Sequence, residues 1–435
     1  MAYIKAWRSA ILHCIENPTD VGSEKAFEYY PDGILVVTDG IISALGHASE
    51  ILLELPNSMD IEHHPEALII PGFIDTHIHY PQSDMIASYG EQLLDWLNHY
   101  TFPEESKFSD KEFARDVADR FLKELLRNGT TTALVFGTVH KQSVDAFFEA
   151  TESLDLRMIC GKVMMDRHAP DDLTDTPESS YQDSKALIET WHEKGRLHYA
   201  VTPRFAPTST SEQLSAAGKL LTEYDNLYLH THLSENVQEC EWVQALFPES
   251  KHYLDVYDQH QLLSERSVFA HGIHLCDHEY QRLSETGSAV AFCPTSNLFL
   301  GSGLFDLSKA EFHKLNVGMG TDVGGGTSFS MFKTLNEAYK VIQLQGQNLD
   351  PIKSFYLATL GGAKALRLEH KVGNLAVGTE ADFVILDKTA TPLIKTRLAR
   401  SKEIADTLFA LMILADDRVV KATYSMGKCV HRREE

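Results

Sequence analysis

Between about Ile70 and His370 the chain repeats one pattern eight times, a short apolar and β-branched run followed by a stretch with helical spacing. The runs are "LIIPGFIDTHIH", "TTTALVFGTVH", "RMICGKVMMDR", "LHYAVTPRFAP", "LYLHTHLSE", "SVFAHGIHL", "AVAFCPTSN" and "NVGMGTDVGG". The helical stretches include "KEFARDVADRFLKELLRNG", which closes on Gly129, a residue suited to the position just past a helix end. Strands joined through helices pair in parallel, because the connection is a crossover and not a hairpin. Eight such units over roughly 300 residues predict an α/β protein built on a (β/α)8 barrel. An open doubly wound sheet is the alternative, but no GxGxxG follows an early strand.

The two chain ends have another texture. "FEYYPDGILVVTDGIISALG" breaks at "PDG" and "DG", both hairpin-type turn signals. Short β-branched runs return after about Lys371, in "VGNLAVGTEADFVILD" and "RVVKATYSMGKCVH". Residues 1–70 and 371–435 are therefore expected to build one small β-sandwich, and residues 71–370 the barrel.

The polar residues of the barrel fall at predicted strand ends. His77 and His79 lie two apart, so they share a strand face and make half a metal site. Alone, an HxH is equally well a pair of hydrogen-bonded surface histidines. The fifth run adds His230, His232 and Glu235, the sixth His271 and His274, and the eighth Asp322. Barrel enzymes carry their chemistry at the face where these ends meet. Six histidines, a glutamate and an aspartate gathered there predict a metal centre. His230 and His232 share a face, and spacing does not choose between them. Glu235 also reads as a charged residue at the start of the helix "ENVQECEWVQALF". His63 and His64, in "IEHHPE", read as residues of a polar loop without function.

Composition bounds the partners. The 435 residues carry 39 basic and 62 acidic side chains, a net charge of −23. Phosphate binding wants clustered Lys and Arg, so a nucleic-acid or membrane-surface partner is not expected. The six cysteines are scattered, with no CxxC spacing, which fits reduced thiols and a cytoplasmic location. The start "MAYIKAWRSAILHCIENP" has no long apolar h-region, and "LFALMILA" is too short to span a membrane and reads as core.

The order His-x-His, His, His, Asp across the first, fifth, sixth and eighth strands resembles the amidohydrolase superfamily, whose members are metal-bearing (β/α)8 barrels with a small β-sandwich. Glu235, three residues past His232, is similar to the glutamate of the mononuclear deaminase branch. "PGFIDTHIHYPQ", "LLDWLNHYTFPEE", "VTPRFAPTST", "HTHLSEN", "AHGIHL", "CPTSNLFLGSGLF" and "GTDVGGGTSFSM" resemble those members of the branch that act on guanine. The likeness spans essentially the whole chain.

The resemblance implies hydrolysis of guanine to xanthine and ammonia by a metal-activated water, in a homodimer. It implies metal ligands at His77, His79, His232 and Asp322 around one Zn²⁺ per subunit, with Fe²⁺ suited to the same donors. Glu235 would be the proton shuttle, and His271 and Asp322 would hold the water or the developing oxyanion. Substrate contacts are expected from Gln82, Arg204, Phe205, His79, Glu235 and Trp96. A guanidinium at Arg204 matches the guanine O6, although a loop salt bridge accounts for that arginine too. Gln82 both accepts and donates along the same edge, Phe205 offers a stacking face, and Trp96 walls the pocket or anchors its loop. His274 is read as a support of the site or of the fold.

Three rivals remain at this level. Aminohydrolases for cytosine, pterins or chlorinated triazines keep the same metal set. A binuclear, hydantoinase-like amidase needs a lysine at the fourth strand end, where "HYAVTPRFAP" has an arginine. A non-catalytic scaffold would be expected to have lost its ligands.

Overall fold

The computed structural model describes residues 4–56, 58–90 and 93–434. Four strands precede the barrel: β1 (Ile4–Cys14), β2 (Phe27–Thr38), β3 (Ile41–His47) and β4 (Ile61–Pro71). The barrel region holds β5 (Phe73–His79), β6 (Thr130–Phe136), β7 (Arg157–Gly161), β8 (Val163–Met164) and β9 (His198–Pro203). It continues with β10 (Tyr228–Leu233), β11 (Ser267–His271), β12 (Ala289–Phe292) and β13 (Asn316–Met319). Three strands follow, β14 (Phe383–Asp387), β15 (Val420–Ser425) and β16 (Lys428–Arg432).

The eight strands β5-β6-β7-β9-β10-β11-β12-β13 run parallel in that order, and β8 extends the edge of β9. The last strand meets the first through specific polar groups. The Thr76 hydroxyl donates to the Met319 carbonyl at 3.0 Å, and the Asp322 N–H donates to the His77 carbonyl at 2.9 Å. Asp75 ties the same seam by accepting from the backbone and hydroxyl of Thr321.

Strand alternation fills the barrel. Ile74, Leu134, Ile159, Tyr228 and Val268 point inward and are fully buried, and Leu366 closes the floor by accepting from the Tyr228 hydroxyl at 2.7 Å. Outward residues meet the helices. The helix Lys111–Arg127 buries Val117, Phe121 and Leu125, four apart and so on one stripe. Asp110 caps it by accepting from two first-turn N–H groups, and Gly129 beyond its end takes φ +81°.

The strands from both chain ends join in one seven-stranded sheet, ordered β16-β15-β14-β4-β1-β2-β3. In β4, Leu68 and Ile70 enter the barrel-side core while Ala67 and Ile69 pack with Trp7, Phe383 and Tyr424 on the other face.

Three local readings change. The run "LIIPGFIDTHIH" is two strands, since Leu68–Pro71 pairs with β14 and Phe73–His79 with β6. Gly72 makes the passage between them, where a Cβ would stand 2.0 Å from Thr131 Oγ1. "PDG" is not a turn but a bulge inside β2, opposite the register shift between Ser9 and Ile11, and Arg8 binds Asp32 across it at 2.7 Å. "DG" is the hairpin, with Asp39 and Gly40 at φ +50° and +86°. His63 and His64 lie in β4 rather than in a loop. Pairing with β1 makes that strand, and such pairing leaves no periodic trace in a polar segment. "LFALMILA" belongs to the helix Ile404–Leu414, which buries Leu408, Leu411 and Met412. Among the described residues no helix is long and apolar enough to cross a membrane.

Candidate metal and active site

The carboxyl end of β5 presents His77 and His79 on one side, as their spacing requires. His77 Nε2 and His79 Nε2 are 3.2 Å apart, and Asp322 Oδ1 lies 3.1 Å from the first and 3.3 Å from the second. Three potential ligand atoms thus share one small space. Ligands at about 2.0–2.1 Å from a tetrahedral ion stand about 3.3–3.4 Å apart, so the edges fit a metal. The His232 ligand nitrogen lies within 4.8 Å of those of His77 and His79.

The outer nitrogens fix which atoms face the centre. His232 Nδ1 is 2.8 Å from the Arg204 carbonyl and donates to it, leaving Nε2 as a free lone pair. His77 Nδ1 is 2.7 Å from His230 Nε2, so His230 meets His77 at the ring nitrogen other than the one that faces Asp322. The tertiary structure thus separates the two β10 histidines that spacing could not. Phe136, at the end of β6, stacks on His79 at 4.5 Å and keeps the cluster dry.

Protonation follows from burial. Desolvation holds the imidazoles of His230 and His232 well below the usual histidine range, lowers His79 to about 4 and lowers His271 to about 3. Burial works against the Asp322 carboxylate, yet the charge and hydrogen bond of His77, the hydrogen bond of His79 and the charge of His271 outweigh it and hold its pKa well below normal. Imidazoles that favour the neutral form, as at His79 and His232, suit binding of a divalent cation.

Glu235 follows β10 and enters the same cavity. Its Oε2 is 3.4 Å from His271 Nε2, and its Oε1 accepts from the Ser302 hydroxyl at 3.2 Å. The helix that follows is capped by Asn236, so capping does not occupy Glu235. Glu239 accepts the Glu235 N–H at 2.9 Å and so fixes the backbone beneath that side chain. Burial, with Asp322 and Glu239 nearby, pushes the Glu235 carboxyl well above its ordinary value.

His271 ends β11 at φ +75° and Asp322 sits at φ +50°, left-handed positions that cost about 1–3 kcal/mol each in a non-glycine residue. The Asn297 amide is 2.9 Å from His271 Nδ1; when it donates, the ring proton sits on Nε2, facing Glu235 and Asp322. His274 is exposed and reaches only the Ser302 carbonyl, at 2.9 Å.

The cavity has about 410 Å³ of space between atoms, its open mouth included. His79, His232, His271, Glu235 and Asp322 line it together with Gln82, Arg204, Phe205 and Trp96. Arg204 does form a salt bridge, but inside the cavity wall: its Nη1 donates to both oxygens of Glu105, at 3.0 and 2.8 Å. Gln82 Nε2 donates to the same carboxylate at 3.1 Å. Phe205 stands edge-on to His232 at 6.5 Å. Trp96 lines the cavity and also anchors its loop by donating to the Ser88 carbonyl at 3.2 Å.

Sequence reasoning did not single out Glu105, Phe136, Asn297 or Ser302. Glu105 lies within "LLDWLNHYTFPEE", and Asn297 and Ser302 lie within "CPTSNLFLGSGLF". Those segments were the available signal, but nothing in them says which polar residue turns inward.

The model of the amidohydrolase family matches residues 68–430. The chain belongs to the amidohydrolase family. This amidohydrolase is 53% identical to guanine deaminase of Escherichia coli K12, over 99% of its own length and 98% of the relative's. The solved E. coli guanine deaminase superposes with a TM-score of 0.96, covering 99% of this chain and 100% of that one. Guanine deaminase from C. acetobutylicum, solved with guanine in its active site, is 29% identical with a TM-score of 0.89, covering 99% and 100% of the two chains.

Proposed function

We propose that this amidohydrolase hydrolyses guanine to xanthine and ammonia, with one Zn²⁺ held by His77, His79, His232 and Asp322. The observation that carries the reading is one cavity lined by two sets of polar groups. One set is the converging donor atoms with Glu235 beside them, and the other is Arg204 and Gln82 on a shared carboxylate. The full-length likeness to E. coli guanine deaminase supports guanine as the substrate. Three imidazoles and a carboxylate suit Zn²⁺ and also Fe²⁺.

A divalent ion bound there lowers the pKa of water from about 15.7 to about 7. The residues of the chain supply the rest. Glu235 accepts the proton that the water loses and delivers it to ring N3 as oxygen adds to C2. It then takes the proton of the new C2 hydroxyl and passes it to the 2-amine, which leaves as ammonia as the C2 carbonyl forms. A carboxyl whose burial favours the protonated form is suited to returning a proton. His271 directs its Nε2 toward the oxygen at C2, and Asp322 orients the attacking water. Arg204 donates to O6, Gln82 accepts from N1–H, and Phe205 and Trp96 close on the ring. We also propose a homodimer working in the cytoplasm, on the strength of the family resemblance and the unpaired cysteines.

Metal analysis of the purified protein and the loss of guanine absorbance test the reading together. One Zn²⁺ per chain with steady conversion to xanthine is expected. A metal-free chain that stays inert after loading with Zn²⁺ or Fe²⁺ overturns it.

A further inference from the structure

Glu105 is fully buried at the end of the short helix Phe102–Glu105. Its carboxylate gathers the polar wall. Oε1 accepts from Arg204 Nη1 and from Gln82 Nε2, and Oε2 accepts a second contact from Arg204 Nη1. Arg204 and Gln82 are themselves 3% and 2% exposed, so neither borrows solvent in place of this partner.

A carboxylate is acceptor-only, and that dictates which way its partners face. Gln82 must turn its NH₂ to Glu105, which leaves Oε1 on the opposite side of the amide. There it lies against Gly324, where a Cβ would stand 1.9 Å from it. Arg204 spends Nη1 on Glu105 and is held with its guanidinium carbon 5.5 Å from the centre of the Phe102 ring. Its other guanidinium nitrogens are donors and nothing else. The wall therefore presents one acceptor and one cationic donor in a fixed order, and the Glu105 charge neutralises the cation that would otherwise stand beside the metal ligands.

Resting on guanine as the substrate, we propose that Glu105 is a specificity-determining positioning residue. It locks Gln82 as an acceptor and Arg204 as a donor, so that the cavity selects rings with a neighbouring N–H and C=O, the N1–H and O6 edge of guanine. A purine with the same 2-amine but without that edge gains nothing from the lock. Sites built around fixed hydrogen bonds discriminate strongly because an unmatched ring leaves buried polar groups unpaired.

The test compares guanine with 2-aminopurine, which keeps the reacting amine and lacks both O6 and N1–H. The wild type, Glu105→Gln and Glu105→Asp are loaded with Zn²⁺ and assayed for kcat/KM on each ring, or for Ki where 2-aminopurine turns over too slowly. In Glu105→Gln the preference for guanine should fall about 100-fold, with 2-aminopurine altered less than about threefold and the Zn²⁺ content unchanged. Glu105→Asp keeps the charge with a shorter reach and should retain part of the preference. An equal loss on both rings, or an unchanged preference, overturns the proposal. Should Glu105→Gln not fold, Gln82→Met removes the acceptor that Glu105 orients, and an undiminished preference in that variant overturns the proposal instead. Inactivity of the Zn²⁺-loaded wild type on guanine is a separate result, and sinks the functional reading itself.

Discussion

His77 Nδ1 stands 2.7 Å from His230 Nε2, deep at the end of the barrel. When His230 accepts the His77 ring proton, the other His77 nitrogen faces Asp322 and His79 with its lone pair. Replacing His230 with Leu removes the acceptor and keeps an apolar filling. Metal affinity should drop about 10–100-fold, measured by competition with a chromogenic chelator. Unchanged affinity would leave His230 as packing alone.

Glu235→Gln preserves the size of the side chain and the hydrogen bond from Ser302 but cannot carry a proton. Metal content and thermal stability should stay close to wild type while kcat falls about 10²–10⁴-fold. Near-normal turnover of guanine would remove Glu235 from the proton path.

Arg204→Ala should cost at least about 100-fold in kcat/KM on guanine without loss of Zn²⁺. It also leaves the fully buried Glu105 carboxylate without its counter-charge, with Gln82 still donating to it. Losing one partner of a buried ion pair costs about 3–5 kcal/mol of stability. Pairing Arg204→Ala with Glu105→Gln should restore much of that stability in urea unfolding and none of the activity. Recovery of both would mean that the arginine serves the fold and not the ring.

Arg157 and Arg196, from the barrel, both bind Glu380 of the segment leading into β14, and Arg196 also binds Asp382 at 2.5 Å. Burial raises the Glu380 pKa, but the hydrogen bonds and charges of the two arginines outweigh it and hold the carboxyl below its ordinary range. A depressed carboxylate stabilises the fold fully above the unfolded pKa, about 4.3, and the contribution is lost as pH falls through the lower folded value. Stability should therefore decline with acid below about pH 4.3, and Glu380→Gln should flatten that part of the decline while costing about 3 kcal/mol at pH 7. Urea midpoints taken from pH 7 down to pH 3 would check it, and parallel curves for the two proteins would count against it.

Much of this molecule was readable from local pattern. The alternation of apolar strands with amphipathic helices fixes a parallel barrel, because each pattern constrains its own neighbours. The period of two sets His77 beside His79 for the same reason. The break at "DG" reads as a hairpin because the φ values it needs belong to those residues. Where pairing partners are far apart in sequence, local pattern misleads: "PDG" became a bulge, and the polar segment with His63 and His64 became a strand beside β1.

The sequence by itself determined the eightfold alternation, the convergence of histidines at strand ends and the residue types able to hold a cation, since these depend on intervals within single strands. Only the tertiary structure decided that His232 faces the centre while His230 backs His77, and that Glu105 joins Arg204 to Gln82. Both choices depend on depth along the barrel and on contacts across many residues. A strand's period tells which side a residue faces, but not what waits there.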